Sequence, residues 1–173
     1  MTKFVRMAAL VAAATLVATP AVAQQVPVQA NPKASAHARI LKPLVLRGTR
    51  DLLFGDIVVG TVTGTQTVVV DHATGNLTGC NTNGLTCSGT VQRAIYNIEG
   101  SNGATVTVAS QQSDLQNANN DILQFTPNHP DTVTLVNSGN PGTNFFVGGE
   151  ITVDTNTPEG LYSGEMEITV QYP

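Results

Sequence analysis

From Tyr162 to Tyr172 the chain alternates. Tyr162, Gly164, Met166, Ile168, Val170 and Tyr172 hold the even positions, with Ser163, Glu165, Glu167, Thr169 and Gln171 between them. A period of two sends successive side chains to opposite faces, which predicts a strand with one apolar and one solvated face. A helix would scatter Met166, Ile168 and Val170 around its axis. Thr157-Pro158-Glu159-Gly160 launches the strand as a turn, Pro158 fixing one backbone angle and Gly160 accepting a positive one. A strand in this position has to pair with strands made earlier, so it closes a sheet.

The same rhythm runs upstream. Ala34, Ala36, Ala38 and Ile40 alternate with Ser35, His37 and Arg39, predicting a strand that runs into Pro43-Leu44-Val45-Leu46. Leu52–Gly60 and Thr67–Asp71 are further apolar runs, and Asp71–Asn76 has the composition of a turn. Ala94, Tyr96 and Ile98 precede Gly100-Ser101-Asn102-Gly103, and Ala104, Val106 and Val108 follow it, predicting a hairpin. Gln111–Asn120 reads as an Asn/Gln-rich loop. Leu123 with Phe125, Val133 with Leu135, Phe145 with Val147 and Ile151 with Val153 each mark a short strand, and Pro127 and Pro130 fall between strands. Beyond residue 23 no stretch keeps helical periodicity over three turns. The pattern predicts an all-β chain, an antiparallel sandwich or barrel.

Residues 1–23 break this rhythm. Lys3 and Arg6, the apolar run Met7–Val17 and the small-residue end Ala21-Val22-Ala23 have the form of a cleaved secretory signal peptide. That run is too short to span a bilayer. The expected product is exported to the periplasm and then the cell surface or medium. It consists of a flexible arm at 24–33, carrying Pro27 and Pro32, and one β-sandwich domain at 34–173.

Charge is sparse and divided. All twelve acidic residues lie after position 50, whereas Lys33, Arg39, Lys42, Arg47 and Arg50 precede them and only Arg93 follows. An acidic body excludes nucleic acid as the expected partner. The basic N-terminal region suits an anionic surface, or the acidic body of a second copy.

Candidate chemistry is thin. Cys80 and Cys87, the only cysteines, are most simply a disulfide in an exported chain. No further thiolates or imidazoles lie at zinc spacing, and the pair lacks the two-residue separation of a redox motif. His37, His72 and His129 fall in an arm, a turn and a proline-flanked loop, outside any nucleophile-elbow or metalloprotease pattern. Glu165 and Glu167 share the wet face of the last strand, where a solvated role outweighs a glycosidase-like pair. Asp114, Asn117, Asn119, Asn120 and Asp121 form an oxygen-rich loop without the ladder of a calcium-binding hand. The expectation is a non-enzymatic protein with no cofactor and no metal.

Four short motifs carry a resemblance. They are Ala38-Arg39-Ile40-Leu41-Lys42-Pro43-Leu44, Leu53-Phe54-Gly55, Phe145-Phe146-Val147-Gly148-Gly149 and Gly160-Leu161-Tyr162-Ser163-Gly164. In this order they resemble a bacterial exported family labelled domain of unknown function 4402. More loosely, the final strand resembles that of chaperone–usher pilins and spore-coat-U-like proteins. Those carry a glycine fourteen residues from the end and a penultimate tyrosine, the places held here by Gly160 and Tyr172.

The pilin resemblance implies an immunoglobulin-like sandwich lacking one strand, a periplasmic chaperone and usher, and polymerisation with like subunits. Val26 and Val28, or Ala34, Ala36, Ala38 and Ile40, would be the teeth of the donor strand. The competing expectation is a self-sufficient sandwich whose first strand is Ala34–Leu46, acting as a monomeric module that recognises polysaccharide or another surface ligand through its loops.

Overall fold

The computed structural model describes residues 26–173; the expected signal peptide and the first two residues of the expected arm lie outside the described residues. Its axis is β11 (Thr143–Val153), an eleven-residue strand. Phe145, Val147, Gly149, Ile151 and Val153 are all buried on one face of it. The first half of β11 pairs with β6 (Ala94–Glu99), which pairs with β1 (Val45–Arg50). The second half pairs with both β3 (Gln66–Val70) and β9 (Ile122–Asn128). β4 (Leu77–Thr78) and β8 (Ser113–Gln116) extend this sheet beside β3 and β9.

Two smaller sheets cover the long strand. The first has the order β10 (Thr132–Thr134), β7 (Thr105–Ser110), β12 (Ile168–Gln171). Its inward residues Val106, Val108, Val133 and Ile168 close a core with Ala94, Ile98, Phe145 and Val147. The second sheet pairs β2 (Asp56–Val59) with β5 (Leu85–Ser88), and Leu85 joins Val68, Phe125, Ile151 and Val153 in a second core. Leu52 and Met166 touch both cores. Every ladder is antiparallel and the described residues contain no helix, so the fold is an antiparallel β-sandwich.

Several elements differ from the sequence expectation, each for a packing reason. Residues 34–44 form no strand; the first begins at Val45, and the compact body begins at Arg39, five residues past the expected boundary. Alternation supplies a face, but a strand also needs a neighbour to bond. The expected hairpin of Ala94–Val108 is not one: β6 and β7 belong to different sheets, and Gly100–Gly103 carries the chain across the sandwich. Ile98 and Val106 thus meet through the core rather than side by side.

Phe145/Val147 and Ile151/Val153 are one strand, because Gly148-Gly149 continues the extended backbone. Part of the expected Gln111–Asn120 loop is β8, held by β9. Pro127 lies inside β9 rather than between strands, past the point where β8 stops pairing and a missing donor is tolerated. The C-terminal strand expected from Tyr162 makes a ladder only at Ile168–Gln171, with a single upstream bridge from Ser163 to Gln116.

Gly149 tests the shared axis. A Cβ at this position would lie 2.2 Å from Cε2 of Phe125, a ring 1 % exposed. Gly149→Ala is expected to lower the unfolding free energy by about 1–3 kcal/mol, the usual cost of overpacking a core. In a Phe125→Leu background, urea denaturation should show a smaller penalty for the same change.

The turn after β3 carries a pH signature. Asp71 accepts hydrogen bonds from the Thr74 hydroxyl and the Thr74 N–H, both at 2.7 Å, which hold its carboxyl below the ordinary value of 3.8. A lowered folded-state pKa contributes stability above the ordinary value and loses it as pH falls through the lowered one. Asp71→Asn should therefore destabilise at pH 7 and leave the pH 2 stability nearly unchanged, measured by urea midpoints.

Candidate assembly surface

Two of the edge strands around the first core, β1 and β12, share one flank, while β10 is the edge on the far side of β7. β12 pairs with β7 on one side, from Ile168↔Ser110 to Gln171↔Thr107, and has no ladder on the other among the described residues. β1 likewise pairs only with β6. Across the gap, the hydroxyl of Tyr96 on β6 reaches the Met166 carbonyl at 3.4 Å, which places the approach to β12 over the β1 side. Burial pushes the Tyr96 phenol above its ordinary pKa of 10.0, with Asp51 adding to the shift, so it stays a neutral donor.

One end of this flank is tied shut. The Tyr172 hydroxyl donates to the Lys42 carbonyl at 2.8 Å and accepts the Ser101 N–H at 2.9 Å. The Lys42 N–H in turn donates to Ser101 Oγ at 2.7 Å. Between this tie and Met166, Leu44, Leu46 and Leu52 line one wall and Met166, Val170 and Tyr172 the other, all packed on the core yet half-exposed. Ile98, Val106 and Val147 beneath them have no exposure at all. Half-exposed apolar residues packed on the first core gather here.

The residues singled out at the C-terminus fall on one line. Tyr162, Met166, Val170 and Tyr172 are half-buried and Ile168 buried, while Ser163, Glu165, Glu167, Thr169 and Gln171 are exposed, so the alternation survives where the ladder does not. Gly160 has φ +154°, and a Cβ there would come within 2.9 Å of the Asn117 amide, which leaves glycine as the fitting residue. Tyr162 donates to the Pro158 carbonyl at 2.8 Å, and Ser163 and Gln116 exchange backbone bonds of 2.8 and 3.0 Å. Glu165 and Glu167 make no ion pair among the described residues.

Other candidates do not converge on this surface. Val26, Val28, Ala34, Ala36, Ala38 and Ile40 are all exposed and belong to no strand. Cys80 and Cys87 form a disulfide linking the segments around β4 and β5. His72 Nδ1 meets Asn128 Oδ1, and His129 Nε2 meets the Ser110 hydroxyl at 3.0 Å with Nδ1 at the Pro130 carbonyl, so a carbonyl rather than a carboxylate orients that ring. In the Asp114–Asp121 loop the Asn117 side-chain oxygen accepts the N–H groups of Asn119 and Asp121, and its amide donates to Asp121. These oxygens are spent on the loop itself.

Sequence reasoning missed the opposite wall. Lys42 and Leu44 stand in the sequence within a family-like motif, Leu46 within a longer expected strand, and Ser101 and Tyr96 within an expected hairpin, so no local signal sets them across from Tyr172. Tyr172→Phe removes two bonds at the closed end and should lower the unfolding free energy by about 1–2 kcal/mol. Amide hydrogen exchange at Ser101 should quicken in the same variant, while amides of β3 and β9 keep their protection.

A family model described as a domain of unknown function (DUF4402) matches residues 44–172. Neither a curated protein nor a solved structure matches the chain. Since the family match begins just ahead of β1, ends at the tyrosine that closes the flank and takes in every strand between, the chain belongs to the family described as domain of unknown function DUF4402.

Proposed function

We propose that this protein is an exported, non-enzymatic structural or adhesive subunit of pilin-like type, assembling at the bacterial surface by strand addition between copies. One observation carries the reading: the flank between β1 and β12 pairs an unladdered strand edge with half-exposed apolar residues packed on the first core. Unpaired backbone groups beside a half-exposed apolar groove favour an added strand, because that strand satisfies both at once. The sandwich is then immunoglobulin-like in the sense that a further strand between β1 and β12 completes it. A periplasmic chaperone and usher are the partners expected to hold the edge before assembly.

The arm supports the same reading. Val26, Val28 and Ile40 are exposed by 77, 96 and 94 %, an apolar display that occlusion in an assembly accounts for. A signal peptide and a disulfide both fit an oxidising compartment.

A second reading rests on a cleft of about 530 Å³ between Gln116–Asn119 and Glu159–Ser163, whose amides, carboxylate and hydroxyl suit a hydroxyl-rich ligand. It describes a monomeric module that recognises polysaccharide.

Sizing and melting of the purified mature protein separate the two. The assembly reading expects concentration-dependent oligomers that vanish in Ala36→Asp/Ile40→Asp, changes at exposed positions outside every strand and both cores. A peptide of residues 26–40 added to that variant should raise its melting temperature in a saturable way. A monomer at every concentration, indifferent to the peptide but stabilised by glycans, would establish the second reading instead.

A further inference from the structure

We infer that the outer face of β1, β6 and β11 binds a carboxylated polysaccharide, held by Arg50 and Arg93, at a site apart from both the β12 flank and the loop cleft. Charge points there first. From Val45 onward the chain has three basic residues besides histidine, Arg47, Arg50 and Arg93, against twelve acidic ones. Ala94 and Ile98 are buried, so their strand neighbours Ile95 and Asn97 face outward on β6. Buried Phe145 and Val147 likewise turn Asn144 and Phe146 outward on β11.

A backbone irregularity sets the arginines on that face. Arg47 and Arg50 differ by an odd number of positions, so in a regular strand they would point to opposite sides. The register slips between Gly48 and Arg50, which leaves Arg47 opposite Asn97 and Arg50 opposite Ile95, both outward residues. Directly opposed residues share a face, so the bulge brings both guanidinium groups outside. Arg93 lies on the same side, its guanidinium carbon 3.6 Å from the centre of the Phe146 ring.

One of the three charges is already matched, since Arg47 pairs with Glu99 at 2.6 Å. Arg50 and Arg93 make no ion pair among the described residues. They are nevertheless held together, Arg50 Nε donating to the Arg93 carbonyl at 3.1 Å. Arg93 Nη1 donates to the His72 carbonyl at 2.8 Å and to that of Ala73, and Phe146 supports the guanidinium plane. Its Nε and Nη2 keep no protein partner among the described residues and stay open to solvent. Two unmatched guanidinium groups side by side repel each other. A carboxylate that accepts paired N–H bonds from them removes the repulsion.

The surroundings suit a sugar polymer. The row Arg50–Ile95–Phe146 crosses three strands, about 10 Å at the usual spacing, and forms a shelf for ring faces. Beside it Asn97 donates to Asn144 Oδ1 at 2.6 Å, which leaves the exposed Asn144 amide to donate to hydroxyls. β6 is laddered on both sides, so the face offers side chains and no free backbone edge to a peptide. Ile95 and Phe146 are half-buried and present no protruding apolar chain to a bilayer.

Titration of the mature protein with polygalacturonate fragments tests the site. Saturable binding that weakens as salt rises is expected. Arg50→Gln, a change at an exposed position, should weaken it about tenfold and leave the melting temperature in place. Lys33→Gln removes the same charge elsewhere and should leave binding unchanged, and the carboxyl-reduced polymer should not bind. Equal losses in the two variants, equal binding of the reduced polymer, or no binding at low salt overturns the inference. Loss in the cleft variant Asn119→Ala with Arg50→Gln unaffected also overturns it, by moving the ligand to the cleft. Tighter binding of polyglutamate, or of anionic phospholipid vesicles, overturns the choice of a sugar.

Discussion

A β-sheet leaves two kinds of debt at its edge, unpaired backbone groups and the uncovered margin of whatever core it shields, and the arrangement of this molecule follows from where that margin lies. β11 is long enough to serve two cores with one backbone, so most strands lie beside it or over it and are covered on their inner faces. The close approach at Gly149, with Phe125 filling the space of the absent Cβ, lets the second half of β11 have neighbours on both sides. Part of what remains half-covered around the first core lies at the periphery, between β1 and β12.

That flank is organised rather than frayed. Its upper end is fixed by hydrogen bonds of 2.7 to 2.9 Å that join Tyr172, Lys42 and Ser101, groups from three separate parts of the chain. Its walls are leucines, a methionine, a valine and a tyrosine that touch the core without being enclosed by it. Apolar side chains in that position gain from being covered, which is what the proposed assembly would supply. Charge is divided as well, the acidic residues all lying beyond position 50 and Lys33 in the arm ahead of it.

Much of the fold was legible in residue order because burial imposes a period of two. Phe125, Val133, Val147 and Ile151 are core residues in the structure and alternating residues in the sequence. The same signal overreached at Ala34–Ile40, which alternates with equal regularity and forms no strand. It also mistook β6 and β7 for a hairpin, because four residues between strands suit a hairpin and a crossing between sheets alike. The C-terminal half of the candidate surface was legible in the run from Gly160 to Tyr172. The other wall was not, since Leu46 and Tyr96 acquire a role only through what lies across from them.

The sequence by itself determined the all-β class, the alternation of the last strand, the cysteine pair and the separation of basic from acidic residues. These are properties of neighbours along the chain, and side-chain direction or local composition suffices to state them. Tertiary structure decided which strands share a sheet, that Phe145 and Val153 lie on one strand, that Lys42 meets Tyr172, and that the open side falls between β1 and β12. Such facts depend on contacts between residues up to 130 positions apart, whose pairing is chosen by the competition of all apolar faces for cover rather than by any local pattern.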